Sequence, residues 1–356
     1  TALVNLGGDF TGSGANSITY RTLDASRLLD LQNATRTFNI TGGVTTIAPT
    51  VRNGGITKTG AGTLTLAGNN TFTGGVTIEG GTLSLANAGA LNSTTPNAIS
   101  FGSNASLKTL RIAGQNVTVS GLTTGATVGT SVVENGEVGT ATLTVNNAAA
   151  NTFAGVLQDG AAGTLALTKT GAGTLTLSGS TANTYTGLTT VSGGTLSLGK
   201  SASVNAVAGD IVVNGGTLLL SANHQIANTS SITVNGSANF NPNDRTETVN
   251  NLTLNSSYAD PNLHRITNVT VNGTLDITKG IVGINSGASA TANTLSMSGG
   301  SRIDMAANTD STTLIIGSGG LTMSGATLRL GWDELDSAET ALVNLGGDFT
   351  GSGANS

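Results

Sequence analysis

The amino-acid sequence predicts an all-β fold, a parallel β-helix (solenoid) with coils of about 20–22 residues. Three observations support this prediction. Short strands rich in β-branched residues recur at a steady spacing, apolar residues alternate with threonine inside the strands, and glycine and asparagine recur between them. A strand this short cannot bury its apolar face alone, so the strands must stack on one another.

The spacing of the strands gives the length of one coil. From Val191 onward, strands recur around Val212, Ile232, Leu252 and Val269, at steps of 21, 20, 20 and 17 residues. A steady repeat of this length through a long chain is typical of a solenoid, in which each coil contacts only its neighbours.

The strand Thr63-Leu64-Thr65-Leu66 illustrates the alternation. Successive side chains point to opposite faces of a strand, so Leu64 and Leu66 share one face and the two threonines share the other. Stacked coils would place the aliphatic side chains in columns inside a narrow core. Asn-Gly pairs predict corners with positive φ, and they occur at Asn214-Gly215, Asn235-Gly236 and Asn272-Gly273. Such pairs also suit antiparallel hairpins, so the steady period, not the corners, argues against an antiparallel sandwich.

The composition excludes several classes of protein. The chain has 356 residues, 52 of them glycine, with 9% charged residues, a net charge of −5 and a mean hydropathy of +0.12. Disordered chains are poor in β-branched residues and rich in net charge, so disorder fits poorly. With 14 lysines and arginines and an acidic balance, the chain lacks the basic surface that a nucleic-acid partner requires. No run of about 18 apolar residues predicts a membrane span.

The longest-range repeat lies at the two ends of the sequence. Residues 1–17 read TALVNLGGDFTGSGANS, and residues 340–356 repeat all 17 of them at an offset of 339. We expect residues 1–339 to be one β-helical repeat unit, which would hold roughly 16 coils. We expect residues 340–356 to begin the next identical unit. The sequence does not distinguish tandem units in one chain from subunits that stack head to tail.

A second repeat lies inside this unit. Residues 57–66 and 168–177 both read TKTGAGTLTL, and related tails end in GGTLSL at Leu85 and Leu198. These segments resemble the passenger-associated transport repeat of bacterial autotransporters and related β-helical surface proteins. The resemblance implies a right-handed β-helix, export across the outer membrane of a Gram-negative-type bacterium, and display at the cell surface or release. The offset of 339 residues exceeds what a usual passenger shows and indicates a giant repetitive fibre or adhesin.

Some β-helices are enzymes, so catalytic residues were sought. Asn308-Thr309-Asp310 matches one short motif of polygalacturonase-like enzymes, but the paired aspartates, Gly-His-Gly and Arg-Ile-Lys of those enzymes are missing. A catalytic histidine needs a partner carboxylate within reach and a cleft, and we expect ordinary loop or surface roles for His224 and His264. The chain has no cysteine. The sequence therefore predicts no catalytic residue and no enzyme activity.

Metal, cofactor and ice-binding patterns are weak. Asp9 and Asp348 follow glycine pairs but do not recur every nine residues, as a calcium-binding β-roll requires. Gly60-Ala61-Gly62 precedes a strand and lacks the Lys-Ser/Thr of a phosphate-binding loop. The densest carboxylate group is interpreted as a solvated junction loop rather than a calcium site, and it comprises Asp333, Glu334, Asp336 and Glu339. Thr-X-Thr pairs do not recur in every coil, as an ice-binding face requires, and they occur at Thr63/Thr65, Thr142/Thr144 and Thr174/Thr176. We predict no metal and no cofactor.

The sequence favours a structural function. A β-helical shaft of an extracellular or cell-surface filament would use itself as partner, end to end, through stacking of successive units. The alternative is a monomeric autotransporter-type adhesin passenger, which would bind other cells or surfaces. A carbohydrate-active β-helix enzyme ranks last because it needs a groove lined with clustered carboxylates or basic residues.

Overall fold

A computed structural model describes residues 3–19, 27–127, 129–257, 264–285, 287–305, 312–330 and 341–352. These residues form 35 β-strands and no helix, so none of the described segments is a helix that could span a membrane. The chain divides into two compact units, residues 1–187 and residues 188–356. In each unit the parallel strands stack as a β-solenoid, with about 13 turns in total, which confirms the predicted fold class.

The described residues of the first unit form 19 strands. Their bounds are β1 Leu3–Asn5, β2 Phe10–Gly12, β3 Asn16–Ile18, β4 Leu28–Ile40, β5 Val44–Ile47, β6 Thr50–Thr59, β7 Thr63–Leu66, β8 Val76–Ile78, β9 Gly81–Leu85, β10 Ala98–Phe101, β11 Leu107–Arg111, β12 Val117–Val119, β13 Gly121–Thr124, β14 Thr130–Glu134, β15 Gly139–Val145, β16 Asn151–Phe153, β17 Val156–Gln158, β18 Gly163–Lys169 and β19 Thr174–Gly179.

The second unit contains 16 strands among its described residues. Their bounds are β20 Thr189–Val191, β21 Thr195–Lys200, β22 Ile211–Val213, β23 Thr217–Leu220, β24 Ile232–Gly236, β25 Asn239–Asn241, β26 Glu247–Val249, β27 Leu252–Ser256, β28 Val269–Lys279, β29 Ile281–Ile284, β30 Ser289–Ser298, β31 Arg302–Met305, β32 Thr312–Ser324, β33 Thr327–Leu330, β34 Ala341–Leu345 and β35 Phe349–Ser352.

Strands from successive coils pair side by side. In the first unit one sheet has the order β1-β4-β6-β8-β10-β13, with β2 also on β4, and a second has the order β17-β14-β11-β9-β7-β5-β3. In the second unit the longest order is β20-β22-β24-β27-β28-β30-β32-β34, with β26 on β28 and β35 on β32. Shorter sheets in that unit follow β21-β23-β25 and β29-β31-β33. Each sheet is therefore a ladder to which a coil contributes one strand, or two strands where the neighbouring coil has one long strand, as β1 and β2 do on β4.

The core consists of aliphatic columns that run from coil to coil. In the first unit, Leu64 pairs with Leu83, Leu83 with Leu110, Leu110 with Val133 and Val133 with Leu157. All five side chains are fully buried. Thr63 and Thr65 are half-exposed on the other face of β7, as the alternation predicts. The second unit contains an equivalent column, and its members are Val191, Val213, Val234, Leu254, Ile277, Met297 and Met323.

Coil length varies more than the strand spacing predicts. Between paired strands of the described residues, the shortest step is 19 residues, as from Val44 to Thr63, and the longest is 29, as from Thr312 to Ala341. Steps of 20–22 residues hold from Thr189 to Leu252. Longer coils explain why the expected count of roughly 16 is wrong and about 13 turns are found.

Glycine is required at corners where coils approach closely. Gly81 has a φ of +66°, and a Cβ built on it would lie 2.4 Å from the carbonyl oxygens of Gly60 and Gly62 in the preceding coil. The predicted role of Asn-Gly pairs is correct only in part. Gly236 has a φ of +60°, but neither Gly215 nor Gly273 has a positive φ. The corner near Gly215 turns instead at the next residue, Gly216, whose φ is +70°.

Candidate functional site

A buried lysine occupies the first corner of the transport-repeat segment. Lys58 lies on β6 with its side chain fully buried. Its Nζ donates hydrogen bonds to the carbonyl oxygens of Thr59 at 2.7 Å, Gly60 at 2.9 Å and Gly80 at 3.0 Å. The ammonium therefore links the glycine corner of its own coil to the corner of the next coil. Burial lowers the pKa of Lys58 to about 8.

Three further lysine side chains are buried. Lys169, at the matching position of the second TKTGAG segment, donates to the carbonyl of Gly171. Lys108 donates to the carbonyls of Gly102 at 2.7 Å and Asn104 at 2.6 Å. Burial lowers the pKa of Lys108 and Lys169, and it lowers the pKa of Lys200 to about 8.

A lysine with a lowered pKa can act as a nucleophile, but only where substrate can reach it. The four lysine side chains are at most 1% exposed. At Lys58 and Lys108 the ammonium group also donates hydrogen bonds to backbone carbonyls, so its N–H groups are already engaged. Sequence reasoning missed these lysines, although the identical position of Lys58 and Lys169 in the two TKTGAG segments was an available signal.

Buried asparagines connect three successive coils. The Oδ1 of Asn70 accepts a hydrogen bond from the Val51 N–H at 2.8 Å, and its Nδ2 donates to the Ala90 carbonyl at 2.9 Å. Asn135 repeats the arrangement, since it accepts from the Gly114 N–H at 2.8 Å and donates to the Thr164 carbonyl at 3.2 Å. These amides serve backbone groups that the strands leave unpaired, so they stabilise the stack.

Glu247 is a buried carboxylate of the second unit. Its Oε2 accepts hydrogen bonds from the N–H groups of Gln225 at 2.6 Å and Ile226 at 3.2 Å, and its Oε1 accepts from the Thr248 N–H at 3.0 Å. Burial raises the pKa of Glu247 to about 7, and the three N–H groups limit that rise. Such a pKa suits a general acid or base. The side chain is fully buried, however, so its contacts serve the stack.

The structure corrects the expectation for His264. This side chain is fully buried rather than on the surface, although the residue lies in a bend outside the named strands. Arg265 pairs with Gly283, which places His264 level with Val282 and on the core column that continues to Ile303. Burial lowers the pKa of His264 to about 4, so the imidazole is neutral at pH 7. His264 therefore occupies a position that an aliphatic residue holds in neighbouring coils.

His224 has the loop role that the sequence predicts. It is half-buried, its φ is +51°, and its N–H donates to the carbonyl of Thr246 in the next coil at 2.9 Å. The polygalacturonase-like motif at residues 308–310 lies outside the described residues, as do the four carboxylates at 333, 334, 336 and 339.

The remaining sequence candidates have backbone roles where they are described. The carboxylate of Asp9 accepts a hydrogen bond from the Thr37 N–H at 2.8 Å. The Gly60 carbonyl accepts from Lys58, and the Gly62 N–H donates to Ile40 at 2.8 Å, so this corner serves the stack rather than a phosphate. No group of three or more acidic or histidine side chains able to hold a metal occurs in the described part of the chain.

The Thr-X-Thr pairs do not form a two-column array. Thr65 of β7 pairs with Ser84, and that outward column continues to Arg111 and Glu134, which form an ion pair of 2.7 Å. Charged side chains therefore follow the threonines within two coils, and the geometry does not favour an ice-binding face.

A polar depression in the second unit was not predicted from sequence. It encloses about 270 Å³, and its polar lining includes Asn239, Asn241, Asn243, Asp244 and Arg265. Asn243 and Asp244 have φ values of +52° and +57°, which are uncommon for consecutive residues other than glycine. The Oδ1 of Asn239 is buried without a hydrogen-bond partner among the described residues.

The duplicated segment forms the outermost described coils. β1 pairs with β4, whereas the copy of β1 in β34 pairs with β32. Large apolar side chains of both copies are exposed, including Val4 at 55% and Phe349 at 56%. Exposed apolar strands of this kind favour association with another strand.

Comparison with known protein families supports the resemblance seen in the sequence. The passenger-associated transport repeat matches residues 56–85 and 167–198. No curated protein and no solved structure matches the chain significantly. The chain therefore carries two passenger-associated transport repeats in a parallel β-solenoid, a combination that fits an autotransporter passenger domain.

Proposed function

We propose that this chain is a length of structural shaft in an extracellular or surface filament. The transport repeats are typical of secreted or surface proteins. A shaft needs a continuous stack that resists bending and fraying, and a surface that does not associate sideways. Parallel ladders with aliphatic columns supply the stack, and small polar side chains cover much of the outer face.

The observation that carries the proposal is the use of the buried polar groups. Lys58 and Lys108 donate to corner carbonyls, and Asn70 and Asn135 bridge coils on either side. Glu247 accepts from N–H groups in the coil before its own. Groups that could carry chemistry therefore hydrogen-bond to backbone groups, Lys108 within its own coil and the others between coils, which supports a structural role over an enzymatic one.

Electron microscopy of the native product, with its mass in SDS, tests this proposal. We expect rods, and a mass far above the 35.0 kDa of this chain if the units are joined covalently. Rods that dissociate to about this mass in SDS would identify head-to-tail subunits instead. Compact particles without rods would refute the shaft.

Adhesion is the second candidate, and the polar depression favours it. Its amides, the Asp244 carboxylate and the Arg265 guanidinium offer donors and acceptors of the kind that bind sugar hydroxyls. A glycan array probed with the chain tests this function, and Asp244→Asn should reduce binding at least about tenfold while keeping the left-handed backbone. Asp276→Asn, on the outer face of β28, is the matched control. Equal loss in both variants, or no binding by the parent chain, would exclude this candidate.

A further inference from the structure

The two copies of the duplicated segment form the same strands and use opposite edges. Residues 3–5 (β1) pair with residues 28–30 in the following coil. Their copies, residues 342–344 in β34, pair with residues 313–315 in the preceding coil. The same holds for β2, which pairs with β4, and for its copy β35, which pairs with β32. Each copy therefore shows one half of the contacts that a coil inside a stack would make.

We infer that this segment is a composite coil, which joins two successive 339-residue repeat units. It would pair with β32 of one repeat unit on one edge and with β4 of the next repeat unit on the other edge. The partner is thus a second copy of this sequence. The inference rests on the proposed shaft and specifies how its units connect. Five lines of geometry support it.

The inward faces agree across the junction. Val343 pairs with Leu314, and its copy Val4 pairs with Leu29, both of which are buried. A valine between them would continue one aliphatic column. Because a shift of one residue would turn every side chain to the opposite face, this agreement is a demanding condition.

The aromatic position agrees as well. Phe349 pairs with the buried Leu321, and its copy Phe10 pairs with the buried Phe38, with ring centroids 5.9 Å apart. In the composite coil one phenylalanine would contact both neighbours. The 56% of Phe349 now exposed would then be covered.

The backbone groups needed on the two sides do not compete. The Leu6 N–H donates to the Asp30 carbonyl in the following coil at 2.8 Å. The next residue of the other copy, Gly346, donates its N–H to the Ile316 carbonyl in the preceding coil at 2.7 Å. One segment can therefore make both sets of hydrogen bonds at once.

The aspartate of the segment also uses different oxygen atoms toward the two neighbouring coils. The backbone carbonyl of Asp348 accepts from the Leu321 N–H at 2.8 Å in the preceding coil. The side chain of its copy, Asp9, accepts from the Thr37 N–H at 2.8 Å in the following coil.

Glycine at position 8 gives the fifth line. A Cβ on its copy Gly347 would lie 2.6 Å from the Ser318 carbonyl and 2.9 Å from the Gly320 Cα, so a side chain is excluded there. A Cβ on Gly8 itself would meet no atom within 4 Å among the described residues. Glycine is therefore required at this position only where a preceding coil lies against it. In the composite coil, β32 of the preceding repeat unit provides that contact, which gives a reason for glycine in both copies.

Hydrogen exchange in an extended chain tests this junction. The 356-residue chain is extended after Ser356 with a second copy of residues 18–356, which reproduces two units in sequence. Exchange at residues 341–352 is followed by mass spectrometry in the extended and the 356-residue chains. We expect it to slow at least tenfold in the extended chain, because the second edge becomes paired, roughly as for an interior strand. Exchange at β24, far from the junction, should not change.

Two matched variants identify the register. Phe349→Ser removes the inward side chain and should abolish the added protection in the extended chain, whereas Thr350→Ser, on the outward face, should retain it. Equal exchange of residues 341–352 in both chains, or protection that both variants leave unchanged, would overturn the composite coil. Rods of native protein without this protection would refute the junction and leave the shaft standing. Compact native particles with full protection would refute the shaft alone.

Discussion

Two buried side chains of the second unit, His264 and Glu247, should make its free energy of unfolding depend on pH in opposite directions. The pKa of His264 falls from 6.5 to about 4 because its side chain is buried. Between these values the unfolded chain binds a proton that the native core excludes, so stability falls as the pH falls from 6.5 to 4. Each pH unit within the window costs about 1.4 kcal/mol. Between pH 6.5 and pH 4.5 the loss amounts to about 2.5 kcal/mol.

Glu247 acts in the other direction over much of the same range. Burial raises its pKa from 4.5 to about 7. Its contribution to stability is therefore fully present below pH 4.5 and is lost as the pH rises through 7. Between pH 4.5 and pH 6.5 this loss has a similar magnitude to that of His264, about 2.5 kcal/mol. The two effects offset each other, so the parent protein should show nearly constant stability between pH 4.5 and pH 6.5.

The variant Glu247→Gln separates the two effects. In this background we expect the free energy of unfolding of the second unit to fall by about 2.5 kcal/mol from pH 6.5 to pH 4.5. Adding His264→Leu, which fills the core column with an apolar side chain, should remove that fall. Urea unfolding followed by circular dichroism at a series of pH values measures both.

The control is the other histidine. His224→Asn keeps a residue that tolerates the φ of +51° at this corner, and it should leave the pH dependence of the Glu247→Gln background unchanged. Constant stability of that background between pH 6.5 and pH 4.5 would refute the reasoning. So would an acid-induced loss that persists after His264→Leu.

Three further predictions concern the first unit and are checked by urea unfolding against the outward control Thr65→Ala, which should change stability by less than about 0.5 kcal/mol. Lys58→Met should cost about 2–4 kcal/mol at pH 7, because three carbonyls lose their buried donor; a cost equal to the control would show that water replaces the ammonium. Asn70→Ala should cost about 2–3 kcal/mol, since it leaves a buried N–H and a buried carbonyl without a partner, and a change within the control's range would contradict the bridging role. Gly81→Ala should cost about 2–4 kcal/mol through its φ of +66° and the contacts at 2.4 Å, and an unchanged unfolding midpoint would show that the corner can shift.

The fold was predictable because its main determinant is local. Alternation over four residues decides which face of a strand is apolar, and Leu64 and Leu66 are indeed both fully buried. Coil length was less predictable. Corner segments carry no periodic pattern, so the extra residues between Thr312 and Ala341 do not disturb the strands that the pattern identifies.

The buried polar residues were not predictable from local pattern. The burial of Lys58 and Glu247 does not follow from local pattern, because a charged side chain is stable inside only if polar partners lie within reach, and some of these partners come from another coil. Those partners, such as the Gly80 carbonyl for Lys58, are separated from it by a whole coil. His264 was misassigned for a related reason, since its core position depends on how Arg265 aligns with Gly283.

These same polar residues explain how a solenoid of interchangeable aliphatic columns keeps its register. A slip of one residue between coils would turn the leucines outward, so the apolar alternation forbids it. A slip of two residues would keep Leu64 facing the core and is opposed far less by the aliphatic side chains. It would, however, move the Gly80 carbonyl away from the Lys58 ammonium and the Ala90 carbonyl away from Asn70. Because an unpartnered buried ammonium or amide is costly, these contacts select one register among those that the apolar pattern allows.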